Sequence, residues 1–551
     1  MAFQPPEMTS TMTGDALLLS GDDAVALAAL HAGVQLGTGY PGTPSTEILE
    51  TFDRLGGRAQ WSPNEKVALE VGLGSAFAGA RTLVTMKHVG LNVAADALFT
   101  ATYTDVDGGL VIVSADDPGM ASSQNEQDNR HFARAAGAPM LEPVDSQQAY
   151  DFTRLALEIG ERWRIPVILR LTTRVCHAKT VVRPRPAEPA AKPASFRRDI
   201  PARVMIPAYA KPSHHRLRTK LAEIAAWNEA EGPTHIDDGD PALGIIASGV
   251  AATHAREAAP QARQLTIGMT WPLPIERIRR FAADCGRVAV IEEGDHLLAG
   301  DLRAAGIPAE SKPERYRFGE LNVARVRRIL DRDETPEPKP PAGKPPELCQ
   351  GCSHRGVFEA LRDLDCIVAG DIGCYTLGVL PPFSAMDTCV CMGASIGVGL
   401  GLRHVLPEDE ARRVVSVIGD STFVHSGLTG LAEMVYNPPP TGHVVLILDN
   451  GTTAMTGQQE HPGTGRLLNH APTAKMSFEG VARAMGVQNV LVVDAQDKDL
   501  SLKDLLAELL ARNETTLVVA RQPCVLAAPK IRFYEKAADA QRQACCAAAA
   551  E

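Results

Sequence analysis

The strongest constraint on the fold is a pair of short apolar runs, each followed directly by polar residues. Residues 414–418 (VVSVI) precede Gly419 and Asp420, and residues 444–448 (VVLIL) precede Asp449 and Asn450. Runs of this kind are typical of parallel strands that are covered on both faces, and the segment between them is long enough for a crossover helix. The two strands are therefore predicted to lie side by side in an α/β sheet, with Asp420 and Asn450 at their carboxyl ends.

This edge of the predicted sheet has the chemistry of a diphosphate and magnesium site. Open α/β sheets bind ligands at the carboxyl ends of their strands, and carboxylate and amide oxygens are ligands that Mg²⁺ prefers. Gly419 lets the backbone approach a phosphate. The pattern resembles the thiamine-diphosphate motif, GDG followed downstream by N, although Ser421 replaces its second glycine. The alternative is that Asp420 and Asn450 only cap a helix and end a strand.

Length and composition set the outer limits. A chain of 551 residues with 45% hydrophobic content can bury several cores, so we expect three domains rather than one. The net charge of −11, without a basic stripe, argues against nucleic acid or an anionic membrane as the main partner.

No apolar run is long enough for a membrane span, and the N-terminus lacks the features of a signal peptide, so a cytoplasmic location is expected. In that compartment the eleven cysteines are predicted to be ligands, thiols or core residues rather than disulfides.

The domain organisation follows from shifts in composition. Short apolar strands alternate with helical patterns in three regions, which predicts α/β domains with doubly wound sheets. Pro-rich and Ala-rich stretches separate and follow them, and the vicinal Cys545 and Cys546 near the C-terminus are predicted to be surface thiols. The predicted segments are a first domain at 15–180, a linker at 181–240, a second domain at 241–332, a tether at 333–346, a third domain at 347–525 and a tail at 526–551.

Four cysteines of the third domain form a second constellation. Cys349 and Cys352 have CxxC spacing, and Cys374 and Cys524 lie in predicted loops that follow strands. Four thiolates suit either structural zinc or a [4Fe–4S] cluster, and their spacing does not choose between the two. Alternatively, Cys374 and Cys524 are small buried hydrophobic residues. Cys389 and Cys391, which precede a glycine-rich helix, are expected to be close-packing residues beside a cofactor.

A third constellation lies near the N-terminus. The pattern predicts a helix that starts at Pro63 and Asn64 and has Glu65 in its first turn. Glu65 could simply stabilise the helix dipole. Thiamine enzymes, however, need a carboxyl group against the N1′ atom of the aminopyrimidine, where proton exchange activates the cofactor. A domain other than the diphosphate-binding domain normally supplies it.

With these motifs, the chain resembles the 2-oxoacid:ferredoxin oxidoreductase superfamily, and most closely the alpha subunits of the indolepyruvate:ferredoxin oxidoreductases. The resemblance covers about residues 15–525. It is carried by GYPGTPSTEILE, NEKVALEVGLGSAFAGARTLVTMKHVGLNVAADAL, SADDPGMASSQNEQDNRHFAR, ELCQGCSHR, DTCVCMGASIGVGLG, GDSTFVHSGLTGLAEMVYN and LDNGTTAMTG. It implies a pyrimidine-binding first domain, a transketolase-C-like second domain and a diphosphate-binding third domain, with thiamine diphosphate held between the first and the third.

The resemblance also implies roles for single residues. Glu65 would be the N1′ partner, and Thr43 would lie near the substrate carboxylate. Asp420 and Asn450 would bind Mg²⁺ together with the Thr452 carbonyl. The remaining predicted cofactor contacts are Asp371, Cys391, Met392, Gly393, Gly419 and Ser421. The cluster ligands would be Cys349, Cys352, Cys374 and Cys524. Among the histidines His88, His131, His354 and His425, which lie in or beside motifs, only His88 is predicted to take part in catalysis.

The implied activity is the oxidative decarboxylation of a 2-oxoacid, for which an arylpyruvate such as indolepyruvate is expected. Electrons would leave singly through the cluster, and coenzyme A would take the acyl group. The implied partners are a smaller beta subunit, in a dimer of αβ units, and ferredoxin or another redox protein.

The sequence departs from the family pattern at two points. Related alpha subunits usually end in a ferredoxin-like domain with two CxxCxxCxxxCP runs, and the chain contains no such run, so at most one cluster is expected. Electrons would then pass directly to a soluble acceptor or to a partner subunit. Gln458 occupies a position where His is expected in relatives, which bears on the arylpyruvate preference.

Two other functions remain open at this stage. One is a non-redox thiamine-dependent decarboxylase or acyl-transfer enzyme, whose cysteines bind zinc or nothing. It would contain no iron and would release an aldehyde rather than an acyl thioester. The other is a non-catalytic subunit that scaffolds or regulates an enzyme, and loss of thiamine binding would favour it.

Overall fold

The structure, a computed structural model, describes residues 15–188, 193–338, 343–497 and 499–536. The chain divides into two compact units, residues 1–338 and residues 339–551. The division falls within the segment predicted as a tether. Residues 15–180 and 241–332, which were predicted as separate domains, belong to the same compact unit.

The first unit alternates strands and helices along most of its length. Its strands are β1 (Leu17–Ser20), β2 (Leu36–Gly39), β3 (Ala59–Trp61), β4 (Thr82–Lys87), β5 (Leu110–Asp116), β6 (Met140–Leu141), β7 (Val167–Thr172), β8 (Lys179–Val182), β9 (Thr234–Asp237), β10 (Asp240–Ser248), β11 (Ala262–Ile267), β12 (Met269–Trp271) and β13 (Val288–Ile291). Its helices are α1 (Gly21–His31), α2 (Thr46–Arg54), α3 (Glu65–Phe77), α4 (His88–Ala101), α5 (Arg130–Ala136), α6 (Ser146–Trp163), α7 (Thr173–His177), α8 (Ile200–Arg203), α9 (Pro207–Ala230), α10 (Val250–Ala258), α11 (Ile275–Ala283), α12 (Leu297–Ala304) and α13 (Val323–Leu330), with a 3₁₀ turn at Glu314–Arg317.

Two sheets of mainly parallel strands organise this unit. The larger has the order β12-β6-β7-β5-β4-β2-β3, and the smaller has the order β13-β10-β11-β9. Strands β4, β5 and β7 are buried along their whole length, as expected for apolar strands covered by helices on both faces. Strand β12 lies in the predicted second domain but pairs antiparallel with β6, so it completes the sheet of the first.

The predicted linker at 181–240 is wrong for its second half, because α9 occupies 24 residues of it. The helix buries Leu217, Leu221 and Ile224, which lie on one face at helical spacing. Pro212 lies inside the helix, where proline is unfavourable, and this masked the pattern in the sequence. Packing of the apolar face compensates for that cost.

The second unit contains one six-stranded, fully parallel sheet with the order β15-β14-β16-β17-β19-β18. Its strands are β14 (Ile367–Gly370), β15 (Thr388–Cys389), β16 (Val414–Gly419), β17 (His443–Asp449), β18 (Asn489–Asp494) and β19 (Thr515–Arg521). Its helices are α14 (His354–Asp363), α15 (Ala394–Val405), α16 (Glu408–Arg412), α17 (Asp420–Thr422), α18 (Leu428–Tyr436), α19 (Phe478–Met485) and α20 (Leu502–Leu510). The α/β prediction with parallel sheets is confirmed.

Part of the predicted tail at 526–551 is folded. Residues 528–536 are helical, Ile531 is buried, and the Tyr534 ring stacks on His470 at a centroid distance of 4.5 Å. This part of the tail therefore packs on the second unit. Cys545 and Cys546 lie outside the described residues. Within the part of the chain that the structure describes, no helix has both the length and the apolar character of a membrane span.

A buried ion network ties the two sheets of the first unit together. The Arg130 side chain is 3% exposed and donates to both carboxylate oxygens of Asp128, at 2.9 and 2.6 Å. It also donates to Glu292 Oε2 at 2.6 Å and to the Glu293 carbonyl at 2.8 Å. A buried charge is tolerated only when such partners replace its water. Arg130 is therefore predicted to determine much of the stability of this unit.

Arg130→Met is expected to lower the free energy of unfolding of the first unit by about 3–5 kcal/mol, because it leaves buried carboxylates without their cation. All four tryptophans of the chain, Trp61, Trp163, Trp227 and Trp271, lie in this unit, so their fluorescence during denaturant unfolding reports on it alone. The matched control is Arg317→Met, since Arg317 is 43% exposed in its pair with Asp295 and should contribute about 1 kcal/mol or less. Equal losses in the two variants would contradict the prediction.

Candidate functional site

Asp420 and Asn450 lie next to each other at the carboxyl edge of the second unit's sheet. Strands β16 and β17 are parallel, with Gly419 opposite Leu448, so the residues that follow each strand start neighbouring loops. Both side chains are buried, Asp420 at 3% and Asn450 at 8% exposure. The arrangement is the one expected for ligands at the carboxyl ends of parallel strands.

The Asp420 carboxylate is held by backbone donors and a histidine. Its Oδ1 accepts from the Ser421 N–H and its Oδ2 from the Gly451 N–H, each at 2.8 Å. His461 Nε2 lies 3.3 Å from Oδ2. Burial alone would raise the pKa of Asp420, but His461 and the two N–H groups outweigh it and hold that pKa below its usual range. The group is thus an oriented, ionised oxygen donor, and Oδ1, which accepts only from the Ser421 N–H, keeps a lone pair for a cation.

The loop that follows β17 is tied to the loop that follows β16. Asn450 Oδ1 accepts from the Thr452 N–H at 3.1 Å, and the Thr452 hydroxyl donates to the Gln459 carbonyl at 3.1 Å. The Thr453 hydroxyl donates to Ser421 Oγ at 2.9 Å. Asn450, Thr452 and Ser421, all predicted cofactor contacts, therefore belong to one hydrogen-bonded edge.

Two glycines at this edge are packed so closely by neighbouring side chains that a larger residue would clash. A Cβ added to Gly419 would lie 2.6 Å from Tyr375 Cε1, so only glycine fits there. Gly393 has φ +87°, in the left-handed region, and a Cβ on it would lie 2.5 Å from Ser426 Cβ. Both glycines are therefore required by the packing of Tyr375 and Ser426 against this edge.

Asp371 acts on this edge through the backbone. Its carboxylate oxygens accept from the N–H groups of Gly393 at 2.8 Å and Ser395 at 3.0 Å, which fixes the first turn of α15. Met392 is half-buried just before this turn, whereas Cys391 is exposed, as is Cys389. Cys389 and Cys391 are thus exposed in the chain alone, and their close packing beside a cofactor stays a prediction.

The four predicted cysteine ligands line one cavity of about 90 Å³. They come from distant parts of the sequence: Cys349 and Cys352 precede α14, Cys374 follows β14, and Cys524 follows β19. The Cys524 N–H donates to the Asn450 carbonyl at 2.9 Å. The cavity therefore borders the edge with Asp420 and Asn450, and its other lining residues include Ser353, His354, Leu377, Asn450 and Gln458.

The thiols are close enough to influence one another. Burial raises the pKa of Cys374 to about 11, and the nearness of Cys524, Cys352 and Cys349 adds to the shift. Among the described residues, however, no three cysteine sulfurs lie within 4.8 Å of one another. A single tetrahedral zinc ion, with Zn–S bonds of about 2.3 Å, would need sulfurs about 3.8 Å apart. The ligands of a cubane cluster bind four different iron atoms and are farther apart.

In the first unit, the three predicted catalytic residues follow three neighbouring strands. Thr43 follows β2, Glu65 follows β3 and His88 follows β4, and these strands are adjacent in the order β4-β2-β3. All three residues thus lie at the same carboxyl edge. Thr43 is half-buried in the loop before α2.

Glu65 is not the residue that caps α3. Asn64 is the N-cap, since its side chain accepts from the Val67 N–H at 2.9 Å. The Glu65 carboxyl group is 4% exposed, and helix α4 passes it so closely that a Cβ on Gly90 would lie 2.5 Å from Glu65 Oε1. Capping of α3 therefore does not explain why a buried glutamate lies at position 65.

His88 is buried and its Nε2 lies 3.2 Å from the Asn125 carbonyl. Burial lowers its pKa, and the opposing effect of Asp116 does not restore it. The imidazole is therefore neutral near pH 7, with Nε2 donating to Asn125 and Nδ1 as an acceptor.

Two histidines lie next to the predicted ligands, of which His461 was not anticipated and His354 was considered but given no part in the site. His461 lies beside Asp420, and His354 Nε2 lies 3.4 Å from Asn450 Nδ2. Burial lowers the pKa of His354 to about 4, so it is neutral. The only signal in the sequence was position, since His354 follows the CxxC pair by two residues and His461 lies in the loop after LDNGTT.

Comparison with known proteins agrees with this geometry. Residues 27–231 match the family model of the pyruvate flavodoxin/ferredoxin oxidoreductase thiamine diphosphate-binding domain. Residues 371–520 match the model of the thiamine pyrophosphate enzyme C-terminal TPP binding domain. Each of the two thiamine-type domains predicted from the sequence therefore overlaps a matching family model. The second matched region contains Asp420 and Asn450.

Relatives match over nearly the whole chain. Indolepyruvate oxidoreductase subunit IorA of Archaeoglobus fulgidus is 36% identical over 95% of this chain and 88% of that protein. Its counterpart in Pyrococcus abyssi is 37% identical over 93% of this chain and 86% of that protein. A solved 2-oxoglutarate:ferredoxin oxidoreductase from Magnetococcus marinus aligns with a TM-score of 0.49 and 18% identity over 58% of this chain and 65% of its own. The identity of 36–37% to the IorA subunits, over nearly the whole chain, shows that it belongs to the family of indolepyruvate oxidoreductase subunits IorA, among the thiamine-diphosphate-dependent 2-oxoacid:ferredoxin oxidoreductases.

Proposed function

We propose that this chain, together with a smaller beta subunit, oxidatively decarboxylates an arylpyruvate such as indolepyruvate and transfers the acyl group to coenzyme A. Electrons leave singly through one [4Fe–4S] cluster to ferredoxin or to a partner subunit, in a dimer of αβ units. The names of the relatives support the substrate class and the existence of a second subunit.

The observation that carries the redox part is the shared cavity of Cys349, Cys352, Cys374 and Cys524. The four thiols come from distant segments, yet they surround one space next to Asn450. Their wide spacing fits a cluster better than one zinc ion. Burial disfavours the thiolate of Cys374, and direct bonding of its sulfur to the positively charged iron–sulfur core would compensate for this.

Asp420, Asn450 and the Thr452 carbonyl fit a magnesium ion, because they are oxygen donors of the kind that Mg²⁺ prefers and are held by backbone hydrogen bonds. Thiamine diphosphate, when bound, supplies the carbanion-stabilising chemistry that decarboxylation requires. Asp371, Met392 and Cys391 would act around it, Asp371 by fixing the Gly393 turn.

The first unit supplies the acid–base and positioning groups in this proposal. Glu65 would exchange a proton with the N1′ atom of the aminopyrimidine, and its burial keeps competing water away. The Thr43 hydroxyl would donate to the substrate carboxylate. His88 would act as an uncharged acceptor through Nδ1, since its Nε2 is directed to Asn125.

The test is the iron and acid-labile sulfide content of protein purified without oxygen, with its beta subunit. We expect about four of each per alpha chain, lost together in Cys349→Ser. Cys366→Ser is the matched control, because Cys366 lies in the same unit but does not line the cavity. It should keep iron and sulfide unchanged.

The possible results separate the branches of the proposal. Iron that survives in Cys349→Ser would place the cluster elsewhere. Absence of iron under strict anaerobiosis, or zinc in its place, would contradict the redox function and leave a non-redox decarboxylase. With iron present, a panel of 2-oxoacids with coenzyme A and a viologen acceptor should give the highest kcat/KM for an arylpyruvate. A preference for an aliphatic 2-oxoacid would overturn the substrate assignment alone.

A further inference from the structure

A second group of metal-type side chains lies in the first unit and has no part in the proposed reaction. Asp22 is in the first turn of α1, Glu47 is in the first turn of α2, and His177 is the last residue of α7. One ligand atom from each lies within 4.8 Å of the other two. Two carboxylates and an imidazole from three helices thus converge on one point.

Asp22 is the unusual member of this group. Asp22 is 1% exposed, and among the described residues no N–H or O–H group donates to its carboxylate oxygens, so that the Cys176 thiol, a weak donor, is its one hydrogen-bonding neighbour there. Burial raises the pKa of Asp22 well above its usual value, and the negative charge of Glu47 adds to the shift. A buried carboxylate with only a weak thiol donor is unfavourable unless a cation or a proton compensates it.

The fold does not use Asp22 as a helix cap. Ser20 caps α1, since its hydroxyl oxygen accepts from the Asp23 N–H at 3.1 Å. Asp22 therefore has no local structural role that would explain an acid at a buried position, where a small apolar residue would be less costly.

The backbone brings His177 to Asp22 through a close approach of two helices. A Cβ on Gly21 would lie 2.2 Å from the Val175 carbonyl oxygen, so only glycine lets α7 pass the first turn of α1 at this distance. The adjacent Cys176 is fully buried, whereas His177 and Glu47 are exposed. An ion can therefore reach the group from solvent while Asp22 holds it from inside.

We propose that Asp22, Glu47 and His177 bind a divalent transition-metal ion of the zinc type. Imidazole with carboxylate is a donor set that zinc accepts readily, whereas an all-oxygen set would be expected for magnesium or calcium. Three protein ligands leave one tetrahedral position for water. The ion would join α1, α2 and α7, and so would brace the loop before α2 that contains Thr43.

The site is separate from the predicted magnesium and cluster ligands, which all lie in the second unit. It can therefore be tested without reference to catalysis. The full-length chain, treated with a chelator and then dialysed against Zn²⁺, should retain one more zinc per chain than Asp22→Asn or His177→Ala. Any zinc in the cysteine cavity is common to all three proteins and cancels in the difference.

We expect zinc affinity at this site to fall by at least about tenfold in each variant, since even partners outside the ligand shell contribute that much. Zinc should raise the melting temperature of the wild type but not that of Asp22→Asn, because only the native state offers the site. Asp22→Asn keeps the side-chain volume, so far-UV circular dichroism should show an intact fold.

His235→Ala is the matched control. His235 is exposed and lies 3.0 Å from Asp237, but among the described residues no third ligand joins the pair. The His235→Ala protein should bind as much zinc as the wild type. Equal zinc content in wild type, Asp22→Asn and His177→Ala would overturn the proposal and show that a proton, not a metal, neutralises Asp22.

Discussion

Replacing Glu65 with glutamine is expected to lower kcat about a thousandfold, within the range that a positioned acid–base group contributes. Glutamine keeps the size and polarity of the side chain but cannot exchange a proton with N1′. The buried pocket of Glu65 beside Gly90 leaves little room for water to substitute. Affinity for thiamine diphosphate should change little, since the side chain acts on one ring atom rather than on the diphosphate.

The measurement has two parts. Steady-state reduction of a viologen by the preferred 2-oxoacid gives kcat, and exchange of the thiazolium C2 hydrogen with D₂O, followed by acid quench and NMR, reports proton transfer without any substrate. Both rates should fall together in Glu65→Gln. Glu70→Gln is the control, since Glu70 lies on the same helix but is exposed in its pair with Lys66. A normal exchange rate in Glu65→Gln would rule out the assigned role.

The sequence predicted best where one physical pattern dominated. The runs at 414–418 and 444–448 became β16 and β17, because continuous apolar residues bounded by glycine and acid suit a strand covered on both faces. Residues 146–163, SQQAYDFTRLALEIGERW, are one of the helical patterns that alternate with strands in the first region, and they form α6, Ser146–Trp163. Asp145 caps it and a regular apolar face runs along it, so local and tertiary preferences agree.

The sequence failed where tertiary packing decided the outcome. Helix α9 contains Pro212 and follows a Pro-rich stretch, so local composition favoured a linker, whereas the contacts of Leu217, Leu221 and Ile224 made a helix. Strand β12 is three residues long and pairs antiparallel with β6 across a predicted domain boundary. Neither its length nor its composition identifies its partner, because strand pairing over such sequence distance is not encoded locally.

The candidate site shows the same division. Asp420 and Asn450 could be predicted because each ends a recognisable strand, and parallel strands place their carboxyl ends together. The close neighbours His461 and His354 could not, because loops that return to the edge bring them there. For the same reason the exposure of Cys389 and Cys391 in the chain alone could not be predicted, since the αL turn at Gly393 determines their direction.

Replacing Asp420 with alanine is expected to weaken binding of thiamine diphosphate with Mg²⁺ by about a hundredfold or more, since the loss of groups around a metal already costs up to that much. Alanine removes the one ionised ligand of the predicted set. The remaining ligands, the Asn450 side chain and the Thr452 carbonyl, offer only neutral oxygens. The stabilisation of the wild type by saturating cofactor and Mg²⁺ should then largely disappear from the melting temperature. Isothermal titration of the cofactor at fixed Mg²⁺ measures the affinity.

Asp494→Ala provides the control for removing an acid from the same edge. Asp494 ends β18, which lies three strands from β16 in the same parallel sheet, and it is exposed. Its loss should leave cofactor affinity unchanged. Far-UV circular dichroism of Asp420→Ala separates unfolding from ligand loss, which matters because Asp420 also accepts from the Ser421 and Gly451 N–H groups. A folded Asp420→Ala protein with wild-type affinity would show that the diphosphate and its cation bind without Asp420, and the loop after β17 would become the place to search for the ligand.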